Sequence, residues 1–346
     1  MSAPQPNALY GAIQKLAYRE PLTAADAEAA FDIVMRGEAT AVQVAALLSA
    51  LRATGESADV VAGVVRALRS AMVTLEAEDP TELVDTCGTG GGAVPTFNIS
   101  TAAAFVAAGA GVRIAKHGNR SFTTKCGSAD VLEALGVAIE VPVRVMEASL
   151  RDAGIVFMFA PVMHPAMRHV GPVRRELGIP TVMNIVGPLA NPARAGRQVV
   201  GVADIERAPI LAGALSALGT THAMVVYGEP GLDEVSPLGP THVIEVRNGS
   251  TDRWTIHPDE HGFKKISRED LAGSEPADNA RIITTILEGK GSTGARAATI
   301  LNAAAAIYVS GRVETYTEGV AAAKKSIDSG QAKSVLERLK RAVPKA

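Results

Sequence analysis

The chain of 346 residues carries only two cysteines, Cys87 and Cys126. Two thiols make neither a disulfide framework nor a structural zinc site, so packing has to hold the fold. Aromatic side chains are scarce as well, at 4% with a single tryptophan. That leans toward helices packed through small residues, alanine above all. Neither sign of charge dominates: 34 Lys and Arg stand against 36 Asp and Glu, a net charge of −2. The balance gives no electrostatic case for nucleic acid or an anionic membrane as partner, so any anion site must be local. No uninterrupted apolar run approaches the ~20 residues needed to cross a bilayer. The opening Met1-Ser2-Ala3-Pro4-Gln5-Pro6-Asn7 also lacks the basic and apolar regions of a signal peptide. A cytoplasmic location is expected.

What the chain does have is apolar bulk, 47% hydrophobic against 20% charged residues. That is the composition of a packed globular protein, long enough for one large domain or two ordinary ones. The first 75 or so residues read as all-helical. Thr23 with Asp26 and Thr40 with Gln43 have capping-box spacing. Gly55 closes the second of these helices, and Ser57 can cap another that carries Val60, Val61, Val64, Val65 and Leu68 at helical spacing. The polar, proline-ended Glu76-Ala77-Glu78-Asp79-Pro80 is a linker candidate. The expected organisation is a small helical domain over 1–78 and a large α/β domain over 79–346. The segment near 165–195, helical and loop-like, is a candidate to pack with the small domain.

From Glu82 onward, short apolar runs alternate with helical patterns. Strands are expected at 83–85, 112–115, 137–141, 155–160, 198–203 and 223–227. The helices between them fall at 101–110, 128–136, 146–153 and 210–218. Such alternation predicts a mostly parallel sheet with helices on both faces. Runs 241–247 and 253–257 flank Asn248-Gly249 and read as an antiparallel hairpin. Segments 295–308 and 317–342 are expected to be C-terminal helices.

In an open parallel sheet, ligands bind beyond the carboxyl ends of the strands. The segments leaving those ends are Gly88-Thr89-Gly90-Gly91-Gly92, Lys116-His117-Gly118-Asn119-Arg120, Pro161-Val162-Met163-His164 and Gly228–Glu234. The first holds four glycines in five positions and leads into a helix. Glycine lets the main chain approach a ligand, and a helix start offers free N–H groups to an anion. A dinucleotide site would want an acidic residue at the end of the next strand, where this chain has Lys116. A P-loop would need Gly-Lys-Ser/Thr, which does not follow. Lys116 can reach phosphate oxygens as a point charge, and Asn119 can read a polar group. Asp233-Glu234 after Gly231 can be an ordinary surface turn. It also has the carboxylate count that magnesium takes when phosphate and water supply its other ligands. Ser100 can add a hydroxyl from the helix start. Both cysteines read as small apolar residues.

Several motifs in order then resemble one family. They are Asp85-Thr86-Cys87-Gly88-Thr89-Gly90-Gly91, Asn98-Ile99-Ser100-Thr101, Lys116-His117-Gly118-Asn119-Arg120, Cys126-Gly127-Ser128-Ala129-Asp130, Asn184 through Pro192, and Leu232-Asp233-Glu234. Together they resemble the anthranilate phosphoribosyltransferases, which act in tryptophan biosynthesis. The resemblance implies a small helical domain joined to a large α/β domain with a mostly parallel central sheet, paired as a homodimer through the helical domains. Related nucleoside phosphorylases share that architecture, but phosphorolysis needs no magnesium, so the Asp-Glu pair argues against them.

By the same resemblance, Gly88, Gly91, Gly92, Thr96, Asn98, Ile99, Ser100 and Thr101 would wrap 5-phosphoribosyl 1-diphosphate. Lys116, His117, Gly118, Asn119, Arg120, Ser121, Phe122, Thr123 and Thr124 would complete the cradle, with Ser128 at its edge. Ser100, Asp233 and Glu234 would hold magnesium, a pair of ions per subunit. Asn119 and Arg174 would address anthranilate, and Gly88, His117, His164 and Pro188 would line its path. Lys116, Asn119 and Arg174 would carry the catalytic work. The family's glycine loop often continues with aspartate after Gly91. Here Gly92 stands in that place, followed by Ala93-Val94-Pro95.

Overall fold

The computed structural model describes residues 7–121 and 125–344. Phe122, Thr123 and Thr124 lie outside the described residues. The chain begins with four helices, Ala8–Ala17, Ala24–Met35, Ala41–Thr54 and Ala58–Ser70. Reciprocal capping boxes open the second and third, Thr23 with Asp26 and Thr40 with Gln43. Ser57 caps the fourth by accepting a hydrogen bond from the Val60 N–H at 3.2 Å. Each cap satisfies N–H groups that the first helical turn leaves without partners.

The apolar faces of these helices do not close on themselves. Leu47, Leu48, Leu51, Val61, Val64 and Val65 share one buried cluster with Val173, Val182, Ile185, Val186 and Leu189. Leu211 and Leu215 of the Ala208–Ala217 helix join it, as do Val200 and Val225 of the sheet. The helical bundle therefore packs, together with the 170–190 segment and the Ala208–Ala217 helix, on one face of the sheet.

The sheet has seven strands: β1 (Val84–Gly88), β2 (Ile114–Gly118), β3 (Ile155–Phe159), β4 (Arg197–Gly201), β5 (His222–Gly228), β6 (Thr241–Arg247) and β7 (Ser250–Ile256). Their order is β3-β2-β1-β4-β5-β6-β7. The first five are parallel, and β6 and β7 extend them as an antiparallel hairpin. Its Asn248-Gly249 turn has φ of 49° and 83°, the left-handed pair that a two-residue hairpin loop requires. The chain winds outward from β1 through β2 to β3, then restarts at β4 on the other side of β1. That reversal opens a crevice at the carboxyl ends of β1 and β4, where Gly88 stands beside Gly201.

Three expectations need correction. Residues 137–141 form no strand; Val137 makes an isolated bridge with Pro344, and Ile139 sits in the core as part of a connection. Pro142 follows directly and starts the Val143–Ala153 helix, so the apolar run is packed without being paired. The stretch after 316 is two helices, Tyr316–Asp328 and Gln331–Ala342, because Gly330 at φ 76° breaks the run. A further helix, Pro276–Leu287, was not expected. Its first residue is proline, whose missing N–H costs nothing there, and Ile283, Ile286 and Leu287 face the core.

Candidate active site

The crevice is built by close backbone approach. A Cβ on Gly201 would overlap the Asp233 carbonyl, and one on Gly88 would meet the Asp233 carboxylate. Only glycine at these two strand ends lets the 228–234 loop lie flat across β1 and β4. The loop is then fastened to the glycine loop. The Gly90 N–H donates to Asp233 Oδ2 at 2.9 Å, and the Ala93 N–H donates to the Gly231 carbonyl at 2.8 Å. On the other side the Ser100 N–H, in the first turn of the Ile99–Gly109 helix, donates to Glu234 Oε1 at 3.1 Å. A carboxylate at a helix N-terminus is favoured by the helix dipole.

Lys116, near the end of β2, is 3% exposed. Its Nζ donates to the Thr86 carbonyl and, at 3.1 Å, to Ser100 Oγ. Burial holds its pKa below the ordinary lysine value. The carboxylates around it move the other way. Burial pushes Asp85 up to about 6, against the pull of the Lys116 charge. Burial, then the neighbouring Asp233, pushes Glu234 up to about 8. Asp233 is raised by burial too.

The buried Asp85 and the half-buried Asp233 and Glu234, with one buried ammonium among them, leave the crevice short of positive charge. Raised carboxylate pKa values express that shortage, and a divalent cation relieves it. Asp233, Glu234 and the Ser100 hydroxyl are hard oxygen donors, which suits magnesium. Among the described residues, no group of three or more His, Cys, Asp or Glu side chains is placed to hold a metal. The remaining ligands would come from phosphate oxygens and water, as magnesium prefers.

The second half of the crevice has a different character. The His117 and His164 rings lie 5.0 Å apart, tilted by 56°. Burial lowers His117 to about 3 and His164 to about 4, so both imidazoles are neutral. Nε2 of each is buried without a hydrogen-bond partner. Pro188 lies in a single 3-10 turn, Gly187–Leu189, and its carbonyl accepts from Gln198 Nε2 at 2.9 Å. Cys87 Sγ approaches the same carbonyl at 3.7 Å, which ties this turn to the end of β1. Arg174 is on the short Gly171–Leu177 helix; its guanidinium is partly buried and makes no ion pair among the described residues. Its neighbour Arg175 is exposed.

Other residues of the expected cradle play bracing parts. The Asn98 amide donates to the Cys126 carbonyl at 3.1 Å and accepts from Asn279 Nδ2 at 2.9 Å. Asn98 thereby ties the helix start to the Pro276–Leu287 helix. Arg120 pairs with Asp130 at 2.8 Å and Glu133 at 2.5 Å. The Ser121 N–H also donates to Asp130, at 3.2 Å. The Asn119 carbonyl accepts from Ser128 Oγ and the Ala129 N–H, both at 3.2 Å. Ile99 is core, and Thr101 is buried with Oγ1 unpartnered. Gly118 is packed against Ser128 and Phe157, and Thr96 packs its backbone against Gly273.

Two residues with no role read from sequence are central here. Asp85 is fully buried and accepts from Asn191 Nδ2 at 2.7 Å and from the His117 N–H at 3.2 Å. Asn191 also donates to the Ala115 carbonyl at 2.8 Å, and its Oδ1 accepts from the Ala193 N–H at 2.9 Å. Both stand in motifs that carry the resemblance, and Asp85 is a carboxylate inside the apolar run Leu83-Val84-Asp85, but nothing in the sequence marks Asn191 as its mate.

Comparison with known proteins gives this geometry a family. The α/β domain of a glycosyl transferase family matches residues 80–333, and its helical bundle domain matches residues 10–72. Anthranilate phosphoribosyltransferase from Rubrobacter xylanophilus is 48% identical over 330 residues, covering 95% of this chain and 96% of that protein. The one from Chloroflexus aggregans is 48% identical over 333 residues, covering 96% of each. The chain belongs to the anthranilate phosphoribosyltransferase family. The Thermus thermophilus crystal structure from this family superposes with a TM-score of 0.90 at 41% identity, covering 96% of this chain and 98% of that one. The Saccharomyces cerevisiae structure, solved with phosphoribosyl diphosphate and magnesium, gives 0.87 at 29% identity over 96% and 97%. Within the family, the Gly92 departure has a local meaning. A Cβ there would stand 3.1 Å from Asp233 Oδ1, so an aspartate would set a further carboxylate in an already acidic crevice.

Proposed function

We propose that the chain transfers the phosphoribosyl group of 5-phosphoribosyl 1-diphosphate to the amine of anthranilate. The products are N-(5-phosphoribosyl)anthranilate and diphosphate, a step of tryptophan biosynthesis. One observation carries this reading. An acid-rich half-site with a glycine loop and the buried Lys116 adjoins the neutral imidazoles of His117 and His164 and the Pro188 turn. The first half suits a metal-bound diphosphate. The second suits a flat aromatic acid, with Arg174 for its carboxylate.

Magnesium, when bound by Asp233, Glu234 and Ser100, supplies the positive charge that the leaving diphosphate needs. The pair of ions per subunit rests on the resemblance. Lys116 adds fixed charge to the same oxygens, and the N–H groups of Gly91 and Gly92 cradle them. Gly88, Thr96, Asn98 to Thr101, and the turn from Lys116 through Thr124 shape the pocket, with Ser128 at its edge. As the C1–O bond breaks, the arylamine lone pair forms the new C1–N bond from the opposite face. The nitrogen then loses a proton to the departing diphosphate or to water. A neutral arylamine needs no strong base, which agrees with imidazoles whose lowered pKa makes them weak proton acceptors. Asn119 and Arg174 orient the acceptor, and orientation of this kind contributes roughly 7–11 kcal/mol in favourable cases.

We also propose the chain's division, location and assembly. The domain boundary is placed near residue 78 and the protein in the cytoplasm. A homodimer forms through the helical domain, where Tyr10 at 38% and Val42 at 79% exposure offer apolar surface. The catalytic reading is tested by mixing the protein with phosphoribosyl diphosphate, magnesium and anthranilate, and following anthranilate fluorescence. Loss of fluorescence is expected; a constant signal with folded protein overturns the assignment.

A further inference from the structure

The four residues from Pro188 to Asn191 are held by an unusual set of partners. Gln198 of β4 binds the Pro188 carbonyl. Asn191 reaches Asp85 of β1 and Ala115 of β2. The His164 ring lies beside the Ala190 backbone. These ties all come from the α/β part of the chain. The fourth comes from the helical bundle. Arg69, in the last turn of the Ala58–Ser70 helix, donates from Nε at 3.1 Å and from Nη2 at 2.7 Å to the single carbonyl of Leu189.

Arg69 is an expensive way to make that contact. It is half-buried, and no carboxylate pairs with it among the described residues. Arg66 and Arg194 are its charged neighbours, and burial together with these like charges lowers its pKa to about 10. A desolvated cation without a counter-ion is costly, and an apolar residue of similar length would fill the space at less cost. What an apolar residue lacks is the planar fork that fixes a carbonyl from two donors. That carbonyl belongs to the residue between Pro188 and Ala190, so the fork sets the wall on which Pro188 and His164 sit.

We propose that Arg69 is a positioning residue that registers the helical domain against the acceptor pocket, acting through Leu189 on Pro188 and His164. The assignment rests on the functional reading above, because the acceptor is what the wall is there to hold. Phosphoribosyl diphosphate binds across the crevice on elements that Arg69 does not touch. The two substrates should therefore respond differently when the fork is removed.

The experiment is steady-state kinetics on wild type, Arg69→Met and Arg69→Lys, with KM determined for each substrate and thermal melts for each protein. Arg69→Met should raise KM for anthranilate about tenfold and leave KM for phosphoribosyl diphosphate within about twofold. Arg69→Lys keeps the charge but loses the fork, so it should fall between Met and wild type. An unchanged anthranilate KM in folded variants, or an equal rise in both KM values, overturns the positioning role. Where Arg69→Met does not melt cooperatively, Arg69→Lys decides on the same criteria. Wild type without turnover would instead sink the functional reading, and this assignment with it; active wild type beside unresponsive variants sinks only the role of Arg69.

Discussion

The Asp233 carboxylate and the Gly90 N–H are 2.9 Å apart, so the acidic loop and the glycine loop are joined across the crevice. That bond places a carboxylate where a diphosphate and its magnesium would lie. Asp233→Asn and Glu234→Gln keep the shape and remove the charge. Each should lower magnesium-dependent kcat at least about 10²-fold, the scale seen when an aligned electrostatic group is removed. Gly201→Ala should do comparable damage without touching any ligand, because its Cβ would overlap the Asp233 carbonyl and lift the loop. Activity near wild type in Gly201→Ala would show that the loop's flat seating is unimportant.

Arg174 and Arg175 are adjacent on one short helix, yet only Arg174 is partly buried. Burial lowers the Arg174 pKa, and no carboxylate among the described residues offsets it. Such a guanidinium is available to a ligand carboxylate. Arg174→Ala should raise KM for anthranilate about tenfold to a hundredfold, the loss of a charge-assisted pair. Arg175→Ala should change it by less than about twofold. Equal effects of the two substitutions would remove Arg174 from the acceptor site.

How much of this was legible beforehand follows from the range of each interaction. The glycine loop, Lys116 and Asp233-Glu234 were readable because strand–helix alternation alone sends their segments to one rim. The helical bundle was readable from caps that act over three residues, such as Thr23 with Asp26. Asp85 with Asn191 was not, since 106 residues separate them and neither local pattern names a partner. The tie between Asn98 and Asn279 was equally hidden, since 181 residues separate the two amides. Segment 137–141 failed for a related reason: an apolar run signals burial, and pairing depends on what lies beside it.

The raised carboxylates give stability a pH dependence of known sign. Glu234 is shifted up to about 8 and Asp85 up to about 6, so the folded state holds protons that the unfolded chain releases. Their contribution is fully present below the ordinary carboxylate range and is lost as pH rises through the folded values. His117 and His164, lowered to about 3 and about 4, act oppositely; their contribution is present above the ordinary imidazole pKa and is lost as pH falls. Above the imidazole range the carboxylates alone act, so thermal melts of the metal-free protein should show declining Tm as pH rises from about 7 to 8.5. Magnesium competes with protons for Glu234, so the Tm gain on adding it should be larger at the higher pH. Glu234→Gln should flatten the first trend and shrink the second. A magnesium gain that is the same at both pH values would argue that Glu234 is not a ligand.

Asn191 is the residue through which β1, β2 and the Pro188 turn are joined. It donates to Asp85 and Ala115 and accepts from the Ala193 N–H, and it is fully buried. Asn191→Ala would strip Asp85 of its shortest hydrogen bond and leave the Ala115 carbonyl without that donor. Buried groups left unsatisfied cost about 1–3 kcal/mol each, so a loss of roughly 2–5 kcal/mol is expected in urea denaturation. Asn191→Asp is the sharper test. It keeps the size and the acceptor for Ala193, but sets a second carboxylate against Asp85, and two acids that close share a proton. Its stability should recover toward wild type as pH falls below about 6 and drop steeply above it, whereas the alanine variant should be deficient at every pH. Parallel pH curves for the two variants would mean that Asn191 is ordinary core packing and that the Asp85 contact is incidental.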